Sequence, residues 1–178
     1  MREWRIIYAK PRSDSPVKPT PMLFSRILLL LPLVLLLSCA EAREPVPALA
    51  DLRADAAKAR ANGQPIVLFF RSHSCPYCRL VEEDYLHWVM VENAGHPRVL
   101  LRAVDIDSDT RLIGLDGEPT TARAYAQAQG VRLVPHLQFI GPQGEKLSAD
   151  LVGVNIPEYY AGYLEEAIVE SVEKLRRR

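Results

Sequence analysis

Ile66-Val67-Leu68-Phe69-Phe70-Arg71, then Ser72-His73-Ser74, then Cys75-Pro76-Tyr77-Cys78, is the stretch of this 178-residue chain that decides its fold. The unbroken apolar run from Ile66 to Phe70 has the pattern of a strand buried on both faces of a central sheet. The two cysteines that follow stand one helical turn apart, close enough for their sulfurs to join in a small, reversible disulfide. Pro76 suits the first position of a helix, where a missing N–H costs nothing. Cys75 is thereby left at the helix mouth, where unpaired N–H groups and the positive end of the helix dipole stabilise a thiolate. A strand that delivers such a pair to the head of a helix is a redox device, with Cys75 reactive and Cys78 its partner one turn inside.

Two blander uses of the pair are a static disulfide and half of a zinc site. The chain holds only three cysteines, so no second pair completes a structural zinc site. A bridge that closes so short a loop also removes little unfolded-state entropy.

Upstream, residues 27–37 are apolar apart from Pro32. The run is shorter than the roughly 20 residues a membrane span requires and fits the core of a secretory signal, with Arg26 as its basic front if translation starts at Met22. Residues 1–21 lack a periodic apolar pattern and read as an upstream extension. Leu36-Leu37-Ser38-Cys39 resembles the lipobox of bacterial lipoproteins, in which the cysteine becomes the lipid-bearing first residue after cleavage. Ordinary cleavage at Ala40-Glu41-Ala42 is the alternative, leaving a soluble periplasmic protein. With Ala40 in the next position, the resemblance implies an outer-membrane anchor.

The expected organisation is therefore an extension and signal over 1–38, a polar Pro-containing tether over 39–48 and one domain over 49–178. Removing residues 1–38 leaves 16 basic and 20 acidic side chains, a net charge of −4. Such a balance gives no electrostatic footprint for nucleic acid.

Along that domain, Leu49 to Asn62 reads as a helix closed by Gly63 and Pro65. Pro76 to about Val91 reads as a second, with Val81, Tyr85, Trp88 and Val89 on its apolar side and Glu82-Glu83-Asp84 as a solvated face without functional weight. Val99–Asp107 follows as a strand, and the polar stretch from Ser108 to Pro119 as a solvated insertion. Its acids lack the bidentate Glu of a Ca²⁺ loop. A helix capped by Thr120 or Thr121 runs to Gln129 and stops at Gly130. Val131–Ile140 reads as a strand, Gly141-Pro142-Gln143-Gly144 as a hairpin turn, and Glu145–Val152 as the antiparallel return. Pro157 opens a last helix whose stripe is Tyr160, Leu164, Ala167, Ile168, Ser171, Val172 and Leu175, with Arg176-Arg177-Arg178 at its negative end.

The resulting order, α-β-α-β-α-β-β-α with a cysteine pair between the first strand and its helix, resembles secreted thioredoxin-like proteins. It implies an α/β thioredoxin fold: a central mixed sheet flanked by helices, a cis-proline loop and an extra N-terminal helix. The polar insertion before the third helix is similar to that of thioredoxin-like proteins from sulfur-oxidation gene clusters. The resemblance assigns Cys75 as the attacking thiolate and Cys78 as the resolving thiol of a redox-active disulfide. It matches Val134-Pro135 to the proline held in cis beside the pair, where the turned backbone presents an edge to the client chain and keeps metal from the thiolates. A trans proline on an edge strand is the plain alternative.

One position departs from the family. Thioredoxins place a buried acid six residues before the first cysteine to move the proton of the second thiol; here Phe69 stands there, so the proton route uses water or another group. Pro76-Tyr77 is the dipeptide typical of glutaredoxins, but an exported location offers little glutathione and no Gly-Gly pair follows Pro135. His73 and His136 are candidate modulators, since an imidazolium beside the sulfur makes a disulfide more oxidising.

The expected function is a periplasmic thiol–disulfide oxidoreductase of either direction. It acts without cofactor or bound metal on exported proteins carrying thiols or disulfides and is reset by a membrane or periplasmic redox partner. The chain is expected to be a monomer that meets the membrane only through its lipid. The alternative is a copper metallochaperone on the same fold, with His136 or His73 as a third ligand beside the thiolates. Copper chaperones of this fold, however, space their cysteines by three residues and lack the cis proline.

Overall fold

Strand β1 (Ile66–Arg71) is hydrogen-bonded along both edges, as its uninterrupted apolar composition requires. The computed structural model describes residues 43–178; the signal-like run, Cys39 with its expected lipid, and both candidate start residues lie outside them. On one edge β1 pairs in parallel with β2 (Leu100–Asp105), with Phe69 opposite Ala103 and Arg71 opposite Asp105. On the other it pairs antiparallel with β5 (His136–Ile140), which carries β6 (Leu151–Val152) outside it, giving the order β2-β1-β5-β6.

Alternation along β1 divides the core into two layers. Val67 and Phe69 point to a layer containing Val81, Leu86, Leu137, Leu164 and Ile168. Ile66, Leu68 and Phe70 point to the other, with Leu52, Ala59, Leu112 and Tyr125. Phe69, Phe70, Leu68 and Ile66 are fully buried, and each such side chain contributes about 1.5–3 kcal/mol of burial free energy.

The helices that cover these faces begin and end where their capping chemistry dictates. Helix α1 (Leu52–Asn62) starts after Asp51, whose carboxylate accepts from the Ala54 N–H at 2.8 Å, and stops at Gly63, which takes the left-handed φ of 62°. Helix α2 is a run of three segments: α-helical Pro76–Leu80, π-helical Val81–Leu86, and α-helical His87–Gly95. Thr121 caps α3 (Ala122–Ala128) by accepting from Ala124 N–H at 3.2 Å. Helix α4 (Pro157–Arg176) lays Tyr160, Leu164, Ala167 and Ile168 on the first layer and buries Ser171, most of the expected stripe. Among the described residues no helix is long and apolar enough to cross a membrane.

Several elements differ from the sequence reading. The chain is already packed before residue 49: Val46 is buried, its N–H donates to Glu82, and Leu49 N–H and Ala103 N–H bond across to the Ala103 and Pro47 carbonyls. Edge pairing to β2 thus draws in a segment whose composition alone reads as a tether. The insertion contains a small antiparallel ladder of β3 (Arg111–Ile113) and β4 (Pro119–Thr121), anchored by buried Leu112. Three residues per strand are too few for polar composition to reveal a period. Residues 131–135 are not strand, because the cis Val134–Pro135 bond turns the chain before β5 begins. The return from the 141–144 turn pairs only through a bridge at Lys146 and the two residues of β6. Trp88, expected on the apolar side of α2, is exposed, since the π turn rotates the following residues and leaves Leu86 and Val89 facing inward.

The layered core makes a direct prediction. Phe69→Ala is expected to lower unfolding free energy by about 3–5 kcal/mol, and Trp88→Ala by less than about 0.5 kcal/mol, in urea titrations. Equal losses at the two positions would contradict the burial pattern.

Candidate active site

The carboxyl end of β1 releases the chain into Ser72-His73-Ser74, and Cys75 closes this loop by donating its N–H to the Ser72 carbonyl at 3.2 Å. Cys75 caps α2 in extended conformation and Pro76 takes the first helical turn. The sulfurs of Cys75 and Cys78 are at disulfide distance, with Cα atoms 5.2 Å apart. The Cys78 N–H points at the Cys75 sulfur, 3.1 Å away, which is the helix-mouth donor that a thiolate at this position requires. Cys75 is half-buried, whereas Cys78 is 2% exposed and belongs to the first core layer. The pair is therefore asymmetric: one sulfur is reachable and its partner is sheltered.

The loop before β5 comes back to the same sulfur. Cys75 Sγ lies 3.8 Å from the Val134 carbonyl oxygen, and the Val134–Pro135 peptide bond is cis. Pro135 is buried with its carbonyl held by Gly153 N–H at 2.8 Å, while the Val134 N–H has no hydrogen-bond partner among the described residues. Tyr77, between the two cysteines in sequence, and Leu133, next to Val134, are both exposed.

The two histidines are placed differently. His73 is largely exposed, lines the cavity beside the cysteines, and brings Nε2 to 3.9 Å from Asp105 Oδ1. His136 is buried: its Nε2 lies 3.0 Å from Asp150 Oδ2, and its ring packs edge-on against Phe70 at 5.8 Å. Asp150 is also held by Lys146 at 2.8 Å. The imidazole of His136 is committed to that carboxylate rather than to the cysteines.

Beneath the pair lies a cavity of about 180 Å³ lined by Arg71, Ser72, His73, Cys75, Cys78, Arg79 and Glu82. Arg71 bridges two acids here: its Nε donates to Asp105 Oδ1 at 2.8 Å and its Nη1 to Glu82 Oε1. Burial works against the guanidinium, but hydrogen bonding to Asp105 and the charges of Glu82 and Asp105 more than offset it and hold Arg71 above its ordinary range. Glu82, grouped by sequence with the solvated acids of α2, is only 16% exposed at its side chain. The sequence signal for it is its spacing, one turn beyond Cys78 on the same helix. A larger groove of about 570 Å³ lies in the other layer, beside the 111–121 ladder and α3. There burial and the charge of Asp116 push the Tyr125 phenol up to about 12, so it stays protonated at neutral pH.

The thioredoxin-like domain family matches residues 52–168. Among solved structures, the thioredoxin of Fasciola hepatica is 21% identical, with a TM-score of 0.48, over 70% of this chain and 98% of that one. Oxidised mitochondrial thioredoxin 3 from Saccharomyces cerevisiae is 18% identical, with a TM-score of 0.48, over 70% of this chain and 94% of its own. No curated protein matches the chain significantly in sequence.

Exposure at the site predicts which thiol reacts. After reduction, a brief pulse of iodoacetamide at neutral pH is expected to label Cys75 well before Cys78, as read by peptide mass spectrometry; equal labelling would contradict the sheltering of Cys78. With its strand–cysteine–helix site and a family match that spans most of the folded region, the chain belongs to the thioredoxin-like domain family.

Proposed function

We propose that this protein is a thiol–disulfide oxidoreductase of the bacterial cell envelope, tethered to the outer membrane through a lipid on Cys39 and acting on exported proteins. The family and fold support a thiol–disulfide oxidoreductase kind of activity. The single observation that carries the reading to these residues is the asymmetric pair: reachable Cys75 at a helix mouth, bonded to sheltered Cys78, with the Val134 carbonyl 3.8 Å from the reactive sulfur.

In the reducing direction, the Cys75 thiolate attacks one sulfur of a client disulfide. The client S–S bond breaks, its other sulfur leaves as a thiolate and takes a proton, and a Cys75–client mixed disulfide forms. Cys78 then loses its proton and attacks Cys75 Sγ, expelling the second client sulfur. The client has gained two electrons and two protons, and the protein has become the Cys75–Cys78 disulfide. A membrane or periplasmic dithiol partner restores the reduced pair. Run backwards, the same steps oxidise a client dithiol. The potential of the pair against that of its compartment sets the direction.

The free Val134 N–H and the carbonyl beside it offer a client strand backbone pairing next to the sulfur. Exposed Leu133 and Tyr77 supply apolar contact around it.

The test is a trap. Cys78→Ala in the full chain is expected to accumulate covalent adducts with envelope proteins that a dithiol reductant releases, and Cys75→Ser/Cys78→Ala to accumulate none. An absence of adducts in an oxidising envelope, or adducts that survive loss of Cys75, would overturn the proposal.

A further inference from the structure

Resolution of the mixed disulfide requires Cys78 to lose a proton inside the protein, and the sheet supplies no group to receive it. The position from which thioredoxins present an acid is Phe69, fully buried between Ala103 and Leu137 in the sheet register. The first layer around Cys78 is otherwise formed by aliphatic and aromatic side chains. A thiol facing that layer alone has no route for its proton. The other side of Cys78 opens on the 180 Å³ cavity, and there the lining carries one carboxylate, Glu82.

Three features make Glu82 fit for the task. Its place on α2, one turn after Cys78, puts both side chains on the same helix face. The π-helical turn begins at Val81, so Glu82 sits where the helix widens. Its Oε1 is fixed by Val46 N–H at 2.8 Å and by Arg71 Nη1, while Oε2 makes no hydrogen bond among the described residues. The carboxylate is thus held in position with one oxygen free.

The groups facing Glu82 are Arg71 from β1, Asp105 from β2 through Arg71, His73 from the loop, and Arg79 and the cysteines from its own helix. The cavity also has room for a water to carry a proton between Cys78 Sγ and Glu82 where the two do not touch.

We infer that Glu82 is the proton acceptor for Cys78, replacing from the helix side the acid that this chain lacks at position 69. The inference rests on the proposed exchange reaction. In the resolving step the Cys78 S–H proton passes to the Glu82 carboxylate, directly or through one water. The Cys78–Cys75 S–S bond forms, the Cys75–client S–S bond breaks, and the client sulfur leaves with its electron pair. Glu82 then returns its proton to solvent through the cavity mouth. In the oxidising direction it delivers the proton to Cys78 as the Cys75–Cys78 bond opens.

A single-turnover measurement tests this. Reduced protein mixed with one equivalent of a chromogenic aromatic disulfide releases coloured thiolate in two phases, first as Cys75 attacks and then as Cys78 resolves. Glu82→Gln keeps the acceptor for Val46 N–H but cannot take the proton. It is expected to slow the second phase at least about tenfold at neutral pH and to leave the first within about twofold, with Glu82→Asp recovering part of the loss. Asp105→Asn, which removes the other Arg71 partner, is expected to leave the second phase within about twofold. The wild-type second phase, read without any variant, is expected to rise with pH by much less than the roughly tenfold per unit of an unassisted thiol.

A Glu82→Gln second phase equal to wild type would overturn the assignment. So would an equal fall in both phases, an Asp105→Asn loss as large as that of Glu82→Gln, or a wild-type rate proportional to hydroxide. Absence of any second phase in wild type would instead sink the exchange reaction itself.

Discussion

The pairing of β1 on both edges is the constraint from which the active site follows. Its register with β2 and β5 is set by five consecutive buried residues, and a slip of one residue would turn each of them toward the wrong layer. With that register fixed, the end of β1 can release the chain at only one place, above the start of α2. The cysteine pair, the returning Val134–Pro135 loop and the Arg71–Asp105 contact all sit at that end of the sheet. The chemistry is thus positioned by apolar burial and not by the polar groups that carry it out.

Apolar burial also explains where polar groups were free to move. Phe69 at the centre of β1 strengthens the core at the position the wider family uses for an acid, and it is sealed on both edges by Ala103 and Leu137. Charge is displaced to the rim instead: Arg71 is the first residue of β1 that is not fully buried, and it draws in one acid from β2 and one from α2. The N-terminal segment joins the same arrangement, since Val46 donates its N–H to the carboxylate that Arg71 holds. One ion cluster therefore ties together a strand pair, the active-site helix and the start of the domain.

Much of this was legible in the residues. The central strand, the helix opening at Pro76 and the cis bond at Val134–Pro135 follow from local chemistry or from the family resemblance, because each depends on a few adjacent residues. Glu82 carries one signal in the sequence, its spacing from Cys78, but its placement depends also on Arg71, eleven positions earlier, and on a π turn that no composition announces. The buried segment at Val46 and the ladder at 111–121 have polar sequences for a similar reason: each is stabilised by one apolar residue and by hydrogen bonds to distant backbone. His136 shows the reverse relation between sequence position and placement. Its sequence position beside Pro135 suggested proximity to the sulfur, but a strand residue next to a turn points away from its neighbour, and here it points to Asp150.

The account stands on Cys75 and Cys78 forming a bond that opens and closes under conditions a client can supply. Equilibrium titration of the pair against graded dithiol–disulfide buffers tests this most directly. A single reversible two-electron transition is predicted, lying between about −270 mV, where reduction of clients is favoured, and about −120 mV, where oxidation is. A pair that resists reduction below about −300 mV, as structural disulfides do, or one that never closes, would contradict it.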